Sequence, residues 1–135
     1  IVKLLLERGA NPNTEGGRYG YAIIAACESG GGDDDMLKDK ALDCVNTLLE
    51  YCVDVNQKGG ALHTPLQMAA YQGDVELVER FCNHGADIHT VGGKYHTALQ
   101  AAVAGDSIET ARLLLNAGAD PNENGGEYGS ALHAA

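Results

Sequence analysis

Three sets of residues in this chain are of types that do chemistry. They are the run Asp33-Asp34-Asp35, the four cysteines Cys27, Cys44, Cys52 and Cys82 with five histidines, and the pairs Gly16-Gly17, Gly59-Gly60, Gly92-Gly93 and Gly125-Gly126. Adjacent carboxylates concentrate negative charge, but a calcium loop needs ligands at alternating positions, which three in a row do not supply. Structural zinc needs close local pairs of ligands, and the chain has no CxxC; Cys44 and Cys82 fall where apolar helix residues belong, and Cys27 falls where Ala70 recurs. A phosphate loop would read GxxxxGK[ST] after a buried strand, whereas these Gly-Gly pairs precede short helices. No nucleophile or acid/base pair occurs once with a partner, so no catalytic residue, metal or cofactor is expected.

The elements that carry these residues recur. Gly59-Gly60, Gly92-Gly93 and Gly125-Gly126 are 33 positions apart, as are Leu66, Leu99 and Leu132, and Cys52, Gly85 and Gly118. Their upstream counterparts Gly16-Gly17, Ile23 and Gly9 lie 43 positions earlier, so one unit carries ten extra residues, aligned to Gly31 to Lys40. A fixed period of this length marks a stacked-repeat architecture.

Within each unit, apolar residues at helical spacing form one face of a second helix: Leu42, Val45, Leu48 and Leu49, then Val75, Val78, Phe81 and Cys82, then Ile108, Ala111, Leu114 and Leu115. The first helix is short and rich in alanine, as in Pro65 to Tyr71 and Ala98 to Ala104. Gly9, Gly85 and Gly118 are placed to end helices in the left-handed conformation. The polar segments Asn11 to Arg18, Asp54 to Ala61, Asp87 to Lys94 and Asp120 to Glu127 each hold a Gly-Gly suited to a tight hairpin turn. The extra residues read either as an acidic recognition loop or as a glycine loop whose aspartates cap a lengthened helix reaching Leu49.

Composition bounds the function. Apolar residues make up 44 % of the 135, enough for a core, and 9 basic against 19 acidic residues give a net charge of −10. That field repels a phosphate backbone, so nucleic-acid binding is disfavoured. No apolar run reaches the roughly 18 residues needed to span a bilayer, so membrane insertion is not expected. With no disulfide-dense cysteine pattern, an intracellular, cytoplasmic location is expected. Ile1 and the interrupted helix at Leu132 to Ala135 suggest a piece of a longer repeat array.

Thr64-Pro65-Leu66-Gln67 with Gly85-Ala86-Asp87-Ile88-His89 and Gly118-Ala119-Asp120-Pro121-Asn122 resembles the ankyrin repeat, as does Ile1-Val2-Lys3-Leu4-Leu5-Leu6 as the end of a second helix. The resemblance covers the chain except its insertion. It implies an all-α solenoid of stacked antiparallel helix pairs joined by hairpin-like loops. The expected division is 1–13, the end of a repeat, then 14–56 with the insertion 31–40, 57–89, 90–122, and 123–135, the start of another. Gly-Gly-x-Tyr ahead of a helix beginning Ala-Leu or Ala-Ile looks like the repeats of fungal proteins in which an ankyrin array follows a NACHT-type module, as in NOD-like receptors.

The implied function is a protein-interaction scaffold that senses or binds a partner within a larger fungal protein. The competing implication is a segment that positions or regulates an enzyme's catalytic domain elsewhere in the polypeptide. Partner contacts in the family come from hairpin tips and exposed first-helix residues, here Arg18, Glu28, Ser29, His63, Tyr71, Gln72, Lys94, His96, Ala104 and Glu127. Tyr19, Tyr95 and Tyr128 share one position beside the tips and should stand in a row. They serve either as binding anchors or as covers for the neighbouring turn, the second supported by Leu62 in that row. Gln67, Gln100 and His133 occupy a position the family uses for hydrogen bonds between units. The expected partners are proteins and the flanking repeats of the same chain.

Overall fold

The computed structural model of the chain describes residues 1–30, 34–60 and 62–135. Eight helices occur among them: α1 (Val2–Glu7), α2 (Ala22–Ser29), α3 (Asp35–Glu50), α4 (Pro65–Gln72), α5 (Val75–Asn83), α6 (Ala98–Ala104), α7 (Ile108–Asn116) and α8 (Ala131–Ala134). The fold is the expected all-α repeat. First helices α2, α4, α6 and α8 pack side by side in one layer. Second helices form the other, with α1 against α3 and α5 against α7.

Short polar residues at the helix starts explain where the elements begin. Thr64, Thr97 and Ser130 accept hydrogen bonds from backbone N–H groups in the first turns of α4, α6 and α8. At α4 the cap is reciprocal: Thr64 Oγ1 accepts from Gln67 N at 3.2 Å, and Gln67 Oε1 accepts from Thr64 N at 3.1 Å. Asp74 and Ser107 cap α5 and α7 one way, accepting from Leu77 N and Thr110 N. Connections of two and three residues then force α4 against α5 and α6 against α7 as antiparallel pairs.

Of the insertion, Gly31, Gly32 and Asp33 lie outside the described residues. Residues 35–40 form the start of α3. Asp34 caps α3 by accepting from Met36 N at 3.0 Å, and α3 runs for 16 residues where α5 and α7 have nine. The capping expected of the aspartates is therefore performed by Asp34, with Asp35 in the first turn, where a negative charge favours the helix dipole.

The core runs through the stack. Ile23, Ile24, Val45, Leu66, Leu77, Val78, Phe81, Leu99 and Leu114 are buried, and Ala69, Ala70, Ala101 and Ala102 let α4 and α6 approach closely. Two residues expected on the buried face of α7 are not covered: Ile108 is 70 % and Leu115 45 % exposed. Val75 and Cys82, their counterparts on α5, are half-buried because α7 lies against that helix.

One close approach fixes the spacing of the first-helix layer. A Cβ at Gly105 would collide with the backbone carbonyl of Tyr71 in the preceding unit. Gly105 has φ −83°, where alanine is ordinarily favoured, so the collision alone decides the sign. Gly105→Ala should destabilise the fold by about 1–3 kcal/mol, read as a lower urea midpoint. An unchanged midpoint contradicts the packing described.

Candidate interaction surface

Each loop between units is a five-residue turn closed by the first glycine. Gly16 N donates to Gly20 O at 2.6 Å, Gly59 N to His63 O at 2.7 Å, Gly92 N to His96 O at 2.8 Å and Gly125 N to Gly129 O at 2.6 Å. The second and fifth positions of each turn are left-handed. The second glycine is one, with φ +70°, +67°, +67° and +68° at Gly17, Gly60, Gly93 and Gly126. The fifth residue is the other, with φ +82°, +80°, +70° and +81° at Gly20, His63, His96 and Gly129. Only the glycine requirement at the second position follows from the Gly-Gly motif.

His63 and His96, two of the expected tip contacts, are half-buried. Their rings lie against the next loop: a Cβ at Gly92 would come within 2.5 Å of His63 Nε2, and one at Gly125 would collide with the His96 ring. Both imidazoles therefore fill the space left by the following Gly-Gly pair. His96 Nε2 also stands 3.9 Å from Glu123 Oε1.

The tyrosines form a column that keeps two members of the expected row and adds one from another repeat position. Tyr95 and Tyr128 stack with ring centroids 6.1 Å apart and planes inclined 6°. Tyr71, from the end of α4, stacks on the other side of Tyr95 at 5.1 Å and 17°. Tyr95 is only 7 % exposed, so its ring acts as a cover between units and not as an open anchor. Tyr71 and Tyr128 remain exposed at 39 % and 41 %. Tyr19 is half-buried outside this column, with the Arg18 guanidinium 5.8 Å from its ring centroid.

Other expected contact residues divide by exposure. Arg18, Glu28, Ser29, Lys94 and Glu127 are exposed. Lys94 Nζ lies 5.1 Å over the Tyr95 ring, and its ammonium is held above the usual lysine value, first by its interaction with the Tyr95 hydroxyl. Gln72 is committed to the preceding unit, its Nε2 donating to Cys27 O at 3.1 Å. Ala104 is half-buried in the packed layer.

Glu28, Tyr71, Gln72, Lys94 and Tyr95 border one open cleft of about 870 Å³. Its remaining walls include Asp35, Lys38 and Asp39 of the insertion, which one reading of the sequence made a recognition loop, and residues not anticipated as contacts, chiefly Leu42 of α3, Met68 of α4, and Asp74 and Glu76 at the start of α5. For the rest, the hint in the sequence is the added length at the start of α3, which supplies one wall of the cleft. Burial, helped by the nearby Asp74 carboxylate, pushes the Cys27 thiol up to about 12, so it is an inert core group. Among the described residues, no three His, Cys, Asp or Glu side chains converge to hold a metal ion.

This architecture is a repeat scaffold, and the family described as ankyrin repeats in three copies matches residues 35–125. The chain belongs to the ankyrin-repeat family. It is similar to the protein called "Ankyrin repeat, SAM and basic leucine zipper domain-containing protein 1" of Homo sapiens and of Pongo abelii, with 35 % identity over 78 residues in each. The same name and identity recur in Loxodonta africana. The match covers 58 % of this chain and spans only 15 % of the length of those relatives. Ankyrin repeats are non-catalytic modules that mediate protein–protein interaction. No helix among the described residues is long and apolar enough to cross a membrane.

Burial, with the Lys58 charge added, holds the His63 imidazole below the usual 6.5. The unfolded chain then binds the proton more readily, so this contribution to stability is complete above 6.5 and is lost as pH falls through that value toward the depressed one. The urea midpoint of the wild type should therefore drop more steeply below pH 6.5 than that of His63→Gln. Parallel pH profiles contradict this role for His63.

Proposed function

We propose that this chain is the partner-binding array of a larger protein, with contacts made by the loop tips and the exposed ends of the first helices. The observation that carries the reading is a division of labour along the repeat. Gln72, His63, His96 and Tyr95 engage neighbouring units. Arg18, Glu28, Ser29, Lys94 and Glu127 point outward with differing charge and size, and Tyr71 and Tyr128 add exposed aromatic surface. Such a mixture of exposed aromatic and charged groups on a rigid frame suits recognition of a protein surface.

The narrower reading, a sensing array in a fungal protein with a NACHT-type module, draws its support from the Gly-Gly-x-Tyr form of three units. The relatives reported above are mammalian and their names include no such module. The competing reading, a regulatory segment of an enzyme, places catalysis in another part of the polypeptide and predicts a covalently linked catalytic domain as the main contact. Under the repeat division proposed here, unit boundaries fall after residues 13, 56, 89 and 122.

The test is a pull-down with the full-length protein and with Glu28→Ala, Lys94→Ala and Glu127→Ala combined, all at exposed positions. Circular dichroism should be unchanged while one or more specific partners are lost. Retention of every partner by the folded variant contradicts the proposed surface.

A further inference from the structure

The open cleft exists because one pair of neighbouring second helices does not close. α1 packs on α3, and α5 packs on α7, yet no comparable packing joins α3 to α5. The lengthened start of α3 stands on one side of the gap and the α4–α5 turn on the other. Between them lies the cleft of about 870 Å³, far larger than the space a single water requires. It is of the size that takes a small ligand or several side chains of a peptide.

Its lining has a definite chemical character. Glu28, Asp35, Asp39, Asp74 and Glu76 contribute carboxylates, against the two ammonium groups of Lys38 and Lys94. Asp74 is engaged as a helix cap and Glu76 pairs with Arg80 at 3.3 Å. Among the described residues, Glu28, Asp35 and Asp39 are in no ion pair, and all three are exposed. Tyr71 borders the same space: one of its faces lies against Tyr95, yet 39 % of the residue stays exposed. An aromatic surface beside unpaired carboxylates is complementary to a planar cation.

We infer that this cleft docks an arginine-bearing segment of a protein partner, with the guanidinium stacked on Tyr71 and paired to Glu28 and Asp39. Arginine fits better than lysine because its planar group stacks on a ring and still directs paired N–H donors at carboxylates. The chain's net charge of −10 draws a basic segment toward the surface, and the cleft supplies the local geometry that bulk charge lacks. This assignment rests on the partner-binding reading and names the chemistry of the partner.

The test uses the full chain and a short fluorescein-labelled arginine–serine repeat peptide, followed by fluorescence anisotropy at several salt concentrations. Glu28→Lys with Asp39→Lys should weaken binding about tenfold or more, as expected for losing charge-assisted hydrogen bonds. Asp43→Lys with Glu109→Lys changes net charge equally at exposed positions outside the cleft and should leave affinity within about twofold. Tyr71→Leu keeps an apolar cover on Tyr95 and should also weaken the peptide. Equal losses from the two charge pairs, absence of wild-type binding, or equal affinity for a lysine–serine peptide would each overturn the assignment. If the peptide fails while the pull-down variant still loses specific partners, the scaffold reading stands and this cleft assignment alone falls.

Discussion

A single helix pair of this chain cannot satisfy its own loop, and that constraint organises the molecule. Gln67, at 2 % exposure, sends its amide Nε2 into the next unit, donating to Gly92 O at 3.1 Å and His96 O at 2.9 Å. Gln100 repeats the bridge one unit later, donating to Glu123 O at 3.0 Å and Gly129 O at 3.4 Å. Both amides are buried, where a polar group without a partner costs about 1–3 kcal/mol. Each unit therefore needs its neighbour for hydrogen bonding as well as for apolar burial, which is the physical content of nearest-neighbour stability in a solenoid.

Asparagines at the loop entrances strengthen the same dependence. Asn13 Oδ1 accepts from Asp54 N at 2.7 Å, and Asn56 Oδ1 accepts from Asp87 N at 2.8 Å. At the next equivalent position His89 keeps the local turn, its N donating to Asp87 Oδ1 at 2.9 Å. The histidines at the fifth loop position and the tyrosine column add packing along the same axis. With inward groups so engaged, the exposed residues Arg18, Glu28, Ser29, Lys94 and Glu127 are left to differ in charge and size. The added turns of α3 then change the surface in one unit without disturbing the ladder.

Much of the fold was readable because it repeats: glycine pairs, alanine-rich first helices and apolar second-helix faces recur at a constant interval, and Gln67 and Gln100 stand where a bridging polar residue belongs. The candidate surface was less readable, for geometric reasons. Tyr71 and Tyr95 occupy different repeat positions, and only stacking of units brings their rings together. The left-handed fifth loop position was hidden by histidine in two units, although Gly20 and Gly129 in the same column carry the signal. The cleft depends on the gap between α3 and α5, a relation between helices that no local pattern encodes.

The most direct measurement of this dependence is amide hydrogen exchange, comparing the wild type with Gln67→Ala. Losing the bridge should speed exchange of the Gly92 amide, which closes the neighbouring loop, by about tenfold or more. The Gly125 amide one unit further on, bridged by Gln100, should change much less. Equal acceleration in both loops, or none in either, would contradict the claim that buried glutamine bridges hold each unit to the next.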